Sequence, residues 1–251
     1  MEGASTSSSP PTVSIERQTP LSPRHSWRSC FEGSDATSFI NLQYIPPGEG
    51  SKVSITEEDV ADEILYWTDS VVGYVMGKRP YYPHFKAFIE KHWSKDVTLV
   101  YLKNGFFMVR FQHSDDVQKV LSCIHTFEGR VIIIKKWSKN VILQRENFDT
   151  LPIWIRVHDL PVHCRNSTSL SKVCSLFSKP ISMDDPALHR DKDQYVRVMV
   201  EVDVHKDLPE DMVVDFHGED CKVHVEYEWK PIVCSVCKRV DHAVDRCPQR
   251  V

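Results

Sequence analysis

The sequence holds no apolar run approaching the roughly 20 residues needed to cross a bilayer. Its first residues, Met1-Glu2-Gly3-Ala4-Ser5, carry no apolar core of signal-peptide length. These absences lead us to expect a soluble, intracellular protein, either nuclear or cytoplasmic. Glycine is scarce, 9 in 251 residues, and forms no phosphate-cradling loop. There is no nucleophile elbow, no His-Glu-x-x-His helix and no Asp-Phe-Gly. His189-Arg190-Asp191 looks like a piece of a kinase catalytic loop, but without those companions it reads as a charged turn. We therefore expect no enzyme. Five of the 8 cysteines (Cys30, Cys123, Cys164, Cys174, Cys221) are scattered without regular spacing. That excludes a disulfide framework and points to a reducing compartment.

The other three cysteines are placed quite differently. Cys234, Cys237, His242 and Cys247 have the spacing C-x2-C-x4-H-x4-C. Three thiolates and an imidazole make a closed tetrahedral zinc site, with no position left for water. The first two cysteines can grip the metal from one tight turn, while His242 and Cys247 close the shell. So short a segment buries too little apolar surface to order itself, so metal binding and folding are one event. One zinc ion per chain is expected. The spacing is that of a zinc knuckle, a module that binds single-stranded nucleic acid. Lys238, Arg239, Arg246 and Arg250 lie in or beside it. Ser235 and Asp241 stand where such modules usually carry an aromatic and a glycine, so the motif offers no base-stacking ring of its own.

The net charge of −4 hides a strong alternation. Residues 1–77 carry 4 basic and 11 acidic side chains, and residues 78–145 carry 13 and 5. Residues 146–229 carry 9 and 17, and residues 230–251 carry 5 and 2. Two basic blocks thus flank an acidic one. Basic blocks are the footprint expected for a polyphosphate partner, although a solvated face explains any one of them.

Residues 1–50 are rich in Ser, Pro, Thr and Gly and are expected to be a disordered tail, with Ser22-Pro23 a candidate phosphosite. The globular pattern begins near Thr56, whose following Glu57-Glu58-Asp59 reads as a capped helix start. A strand is predicted over 70–76 and a helix over 83–93, with Phe85, Phe88, Ile89 and Trp93 at helical spacing. A hairpin follows, with strands over 97–102 and 106–112 joined by Lys103-Asn104-Gly105. A second helix is predicted over 114–127, with Val117, Val120, Leu121 and Ile124 on one face, then a strand over 130–137. That order, β-α-β-β-α-β, is the ferredoxin-like arrangement that RNA-recognition motifs share.

In that fold the third strand carries aromatics that stack bases. Here period-2 alternation puts Phe107, Val109 and Phe111 on one face and Phe106, Met108 and Arg110 on the other. If the first set is core, Phe106, Met108 and Arg110 form an open, base-stacking face; the competing reading is that another element covers them. A further block has strands over 154–157, 195–204 and 222–229 and an amphipathic helix over 167–177. The expected organisation is α+β throughout: a tail over 1–50, a ferredoxin-like domain over 51–138, a second β-rich α+β unit over 139–230 and the knuckle over 231–251.

The stretch from Ile64 to Cys247 resembles a plant family of retroelement-derived proteins, known by a domain-of-unknown-function label followed by a CCHC knuckle and found in LINE-type retrotransposons and their relics. The resemblance is carried by Val72-Gly73, Gly77-Lys78-Arg79-Pro80, Phe106 to Phe111, Trp137, Leu151 to Val157, Leu160-Pro161, Tyr227-Glu228 and Pro231, and by the knuckle ligands in order. It implies a nucleoprotein-type role without catalysis. Asp241, in place of the usual glycine, departs from the family pattern, and the four residues after Cys247, where related proteins often continue with a basic or low-complexity tail, lead us to expect a shortened copy.

Zinc-dependent, non-catalytic binding of single-stranded RNA or DNA is accordingly the expected function. Lys135, Lys136, Lys139 and Arg145 are the expected phosphate contacts. Phe106, Met108 and Arg110 are the expected base contacts, and Lys238, Arg239 and Arg246 those of the knuckle. The alternative is a protein-interaction adaptor whose knuckle is purely structural, with the acidic block 146–229 docking a protein partner.

Overall fold

The structure is a computed structural model that describes residues 42–46, 53–184, 195–216, 218–240, 242–247 and 249. The chain divides into two compact units, Met1–Ser54 and Ile55–Val251. The described residues of the first, 42–46 and 53–54, are exposed and without regular structure. Most of the Ser/Pro-rich stretch, Ser22-Pro23, His189-Arg190-Asp191, Asp241 and Arg250 lie outside the described residues.

The second unit opens with a capped turn. Thr56 Oγ1 accepts from Asp59 N at 3.3 Å, and Asp59 Oδ2 accepts from Thr56 N at 2.7 Å. This reciprocal cap starts a short 3-10 turn that runs into α1 (Ala61–Trp67). Then come β1 (Ser70–Val75), α2 (Tyr82–His92), β2 (Val97–Tyr101), β3 (Phe106–Phe111), α3 (Ser114–Leu121), β4 (His125–Phe127) and β5 (Arg130–Lys136). The five strands form one antiparallel sheet in the order β2-β3-β1-β5-β4. Without the short edge strand β4, this is the ferredoxin-like order.

The helix predicted over 114–127 is shorter than its apolar pattern suggests. It stops at Leu121, and Ile124 is exposed. Glu128 and Gly129 both take positive φ, 51° and 74°. Such a pair makes the tight turn whose twist suits a hairpin, so the β-branched and aromatic His125–Phe127 pairs back onto β5.

Helices α2 and α3 cover one face of this sheet. Phe85, Ile89, Val117 and Val120 are buried there with Val71, Val75, Phe107, Val109 and Phe111. Phe85 sits at the centre, edge-on to Phe107 at 4.8 Å and to Phe127 at 5.2 Å. Phe107, Val109 and Phe111 are the alternate residues that strand periodicity placed together on one face of β3.

The second sheet repeats the topology of the first. Its elements are β6 (Thr150–His158), α4 (Ser167–Cys174), β7 (Lys179–Met183), β8 (Tyr195–Asp203), β9 (Asp211–Phe216) and β10 (Glu219–Tyr227). The strand order is β7-β8-β6-β10-β9, position for position that of the first sheet, and all pairs are antiparallel. α4 takes the place of α2, capped by Asn166 Oδ1 accepting from Ser169 N at 3.0 Å. No helix stands where α3 would be: residues 204–210 join β8 to β9 directly. Leu151, Ile153, Ile155 and Val157 alternate along β6 into a core with Leu170, Val173 and Cys174 of α4. The opposite face is polar. There Arg197 stacks over Trp154 at 3.9 Å and donates to both Glu228 oxygens, at 2.6 and 2.9 Å.

Candidate metal centre and nucleic-acid interface

Shortly after β10 ends at Tyr227, the chain builds the metal site from backbone geometry. Val233 and Val240 form an isolated antiparallel bridge, and Cys234 N donates to Arg239 O at 2.9 Å. Lys238 N donates back to Cys234 O at 2.9 Å, with Lys238 at φ 58°. This knot turns the chain so that Cys234 and Cys237 face the same point. A 3-10 turn, Val244–Arg246, then delivers Cys247. The ligand atoms of Cys234, Cys237, His242 and Cys247 all lie within 4.8 Å of one another, and Cys237 Sγ is 3.2 Å from His242 Nε2. A tetrahedral zinc with Zn–S near 2.3 Å and Zn–N near 2.0 Å needs ligand separations of about 3.4–3.8 Å, so the set fits with small adjustments. Among the described residues no other group of His, Cys, Asp or Glu converges in this way.

The electrostatics favour a thiolate at one ligand. Backbone N–H groups of Cys237 and Val236 point at the Cys234 sulfur and pull its pKa down to about 6. Burial pushes the Cys247 thiol the other way. A cation at the centre would stabilise every thiolate. Val240, inside the motif, is buried in the same cluster as the second sheet, so the knuckle is docked on the body of the unit. Lys238 and Arg239 are exposed beside the ligands. The side chain of Arg246 lies outside the described residues.

The sheet-face site read from the sequence is corrected. Phe106, Met108 and Arg110 do point away from the helices, as alternation requires, but the face is covered. Phe106 is 4% exposed and Met108 8%. Residues 137–148 cross the face as an irregular strap, with Trp137, Val141, Leu143 and Phe148 packed against the cluster that holds Phe106 and Met108. Glu146 N donates to the Tyr74 phenol at 3.2 Å, and the Arg145 guanidinium lies over the Tyr74 ring at 5.0 Å. The physical reason is the character of the face itself. Val72, Tyr74, Phe106 and Met108 together would leave an apolar patch in water, and the chain buries it with its own residues.

The expected phosphate contacts divide. Lys135 is ion-paired with Glu146 of the strap, and Lys139 with Glu57. Arg145 is half-buried against Tyr74, with Nη2 3.5 Å from Asn104 O. Arg110 donates from Nε to Tyr66 O at 2.7 Å and stacks on that ring at 4.1 Å, which holds α1 to the sheet. Lys136 is exposed, with no ion pair among the described residues. Tyr74 was not singled out in the sequence, yet it is the residue on which the strap is anchored. Its signal was present: as the fifth residue of a strand that pairs with β3, it must share a face with Phe106.

Residues 64–145, from α1 to the strap, match the model of a family described as a domain of unknown function (DUF4283). No curated protein matches the chain. Among solved structures the chain is similar to the RNA-binding domain of Hrp1 in complex with RNA, at 16% identity and a TM-score of 0.25. That match covers 64% of this chain and 96% of the other. It is also similar to the first two RRM domains of the yeast poly(U)-binding protein Pub1, at 14% identity and a TM-score of 0.23. That one covers 63% of this chain and 98% of the other. The assignment of the fold rests on strand order and register rather than on these superpositions.

Proposed function

We propose that the chain is a non-catalytic, intracellular protein that binds single-stranded nucleic acid through a zinc knuckle docked on two ferredoxin-like sheets. The observation that carries this reading is the converging Cys234, Cys237, His242 and Cys247 set with Lys238 and Arg239 exposed beside it. Zinc would hold the loop in shape; the two cations would meet phosphates, and the apolar Val236, about half exposed, offers a surface for a base. The residue pattern from Ile64 to Cys247 supports a retroelement-type nucleoprotein lineage of the kind found in plants as part of the same proposal, and the match to a domain of unknown function over residues 64–145 is consistent with it. The test is binding of labelled single-stranded RNA and DNA to the full chain, loaded with zinc and after chelation.

One observation favours a second reading. Val240 is buried in the apolar cluster shared by the two sheets, as it would be if the knuckle served only to staple the C-terminal segment. An adaptor of that kind would dock a basic protein partner on the acidic block 146–229. It would keep its fold-stabilising zinc but show no salt-dependent affinity for nucleic acid.

A further inference from the structure

The first sheet does have spare positive charge, but at its end rather than on its face. The register of β1 with β3 (Tyr74 opposite Phe106) and with β5 (Val75 opposite Ile132) brings three connections to one end. They are the loop 76–81 after β1, the turn 102–105 before β3 and the turn 128–129 before β5. Lys78, Arg79 and Lys103 project there, all exposed, and none has a carboxylate partner among the described residues. The Arg79 guanidinium lies over the Tyr101 ring, 4.1 Å from its centroid, and the Tyr101 phenol donates to Pro80 O at 2.9 Å. Gly105 sits between two arginines: a Cβ there would be 2.8 Å from Arg145 Nη2 and 4.0 Å from Arg79 Cβ. Tyr81, 69% exposed, stands beside them.

The acids at this end are already neutralised. Glu128 is held by Arg130 at 2.6 Å, and Arg130 also donates to Lys78 O at 2.7 Å. Glu228 lies against Gly129, where a Cβ would be 3.0 Å from Glu228 Cβ, and its carboxylate is bound by Arg197. That last contact also fixes where the knuckle begins. Cys234 follows Glu228 by six residues, a reach of at most about 21 Å.

We propose that Lys78, Arg79 and Lys103, with Tyr81 beside them, form a phosphate track for single-stranded nucleic acid that continues the one begun at the knuckle. This rests on the nucleic-acid reading above and names the path the strand takes. Phosphates run past the exposed cations, and Tyr81 offers its ring to a base. Backbone contacts of this kind give affinity without sequence choice.

The test uses the full zinc-loaded chain with labelled oligouridylate and oligothymidylate over a salt series. One triple variant changes Lys78, Arg79 and Lys103 to Gln; a control triple changes Lys91, Lys95 and Lys172 to Gln. The rim triple is expected to bind at least about tenfold more weakly, with a salt slope shallower by about 2 units for three lost contacts. The control removes the same charge and should leave the slope unchanged. Tyr81→Leu should weaken binding about tenfold with the slope intact. Equal losses in the two triples would overturn the track in favour of a general charge effect, and polyglutamate competing as well as the oligonucleotides would overturn it in favour of an acidic protein partner. An unchanged rim triple beside a non-binding Cys237→Ser would overturn the track and leave the nucleic-acid reading standing. Absence of binding by the unaltered chain would overturn both.

Discussion

Tyr74 of β1 and Phe106 of β3 are cross-strand partners whose rings meet edge to face, 5.0 Å between centroids. In an RNA-recognition motif, aromatics on these neighbouring strands stack bases. Here they pack edge to face against each other beneath the strap, and Glu146 N donates to the Tyr74 phenol. The aromatic pair of this ferredoxin-like sheet is part of the core.

Phe106→Ala should therefore read out as a stability change. Removing a ring that is 4% exposed opens a cavity, with an expected cost of about 3–5 kcal/mol. Denaturant unfolding measures it. The single-strand affinity of the folded fraction should stay unchanged; a loss of affinity at unaltered stability would contradict the covered face.

Gly73 should prove intolerant for a different reason. A Cβ there would lie 2.2 Å from the Ile133 carbonyl oxygen and 2.8 Å from Ile134 Cγ2, in the middle of the β1–β5 pairing. Backbone cannot yield as a side chain can, so Gly73→Ala is expected to cost about 3 kcal/mol or more. Gly218→Ala is the contrast: nothing lies within 4 Å of its Cβ, and only the positive φ of 90° is penalised, by about 1 kcal/mol. A comparison of the two melting temperatures checks the pair.

Much of this arrangement could be read from the residues, and the boundary of legibility has a physical origin. The alternation in Phe106–Phe111 assigned every side chain to its correct face, because a strand has a fixed period. What covers a face is not periodic. The strap from Trp137 to Phe148 has no regular structure, and its alternating Val141 and Leu143 could have faced any apolar surface. Two edge strands were missed. β7 contains Pro180, which blurs a strand signature. β9 does alternate, with exposed Asp211, Val213 and Asp215 on one face and Met212, Val214 and Phe216 half-buried against the core on the other, and its pattern was overlooked. The zinc ligands were legible because they are close in sequence. The basic rim was not, because its members come from separate connections. Arg79 and Lys103 reach the same end of the sheet only when β1 pairs with β3.

Acid should loosen the second sheet through Glu228. Burial alone would raise its carboxyl, but the bidentate Arg197 overrides this and holds the pKa below the ordinary glutamate value. A depressed folded-state pKa means stability that is present above the unfolded value and lost as pH falls through the folded one. Unfolding midpoints should fall on going from about pH 5 towards pH 3. Glu228→Gln should lower stability at neutral pH and flatten that dependence; an unchanged pH profile would show that the pair contributes nothing.

Zinc removal should be felt beyond the knuckle. One zinc per chain is expected, with Cys237→Ser losing it. Thiolates must shed protons to ligate, so binding should release protons and weaken progressively as the pH is lowered. Because Val240 is buried in the apolar cluster shared by the two sheets, chelation should also lower the melting temperature of the whole Ile55–Val251 unit. Calorimetry with and without chelator measures this; an unmoved transition would mean that the knuckle hangs free.

Nucleic-acid binding is tested by titrating labelled single-stranded RNA and DNA with the full chain across a salt series, with zinc and with chelator. The zinc form should bind at least one of the two polymers. Its logarithmic affinity should fall linearly with the logarithm of salt concentration, and chelation should sharply reduce it. No binding to either polymer at low salt, or binding that is the same with and without zinc, would contradict zinc-dependent nucleic-acid binding.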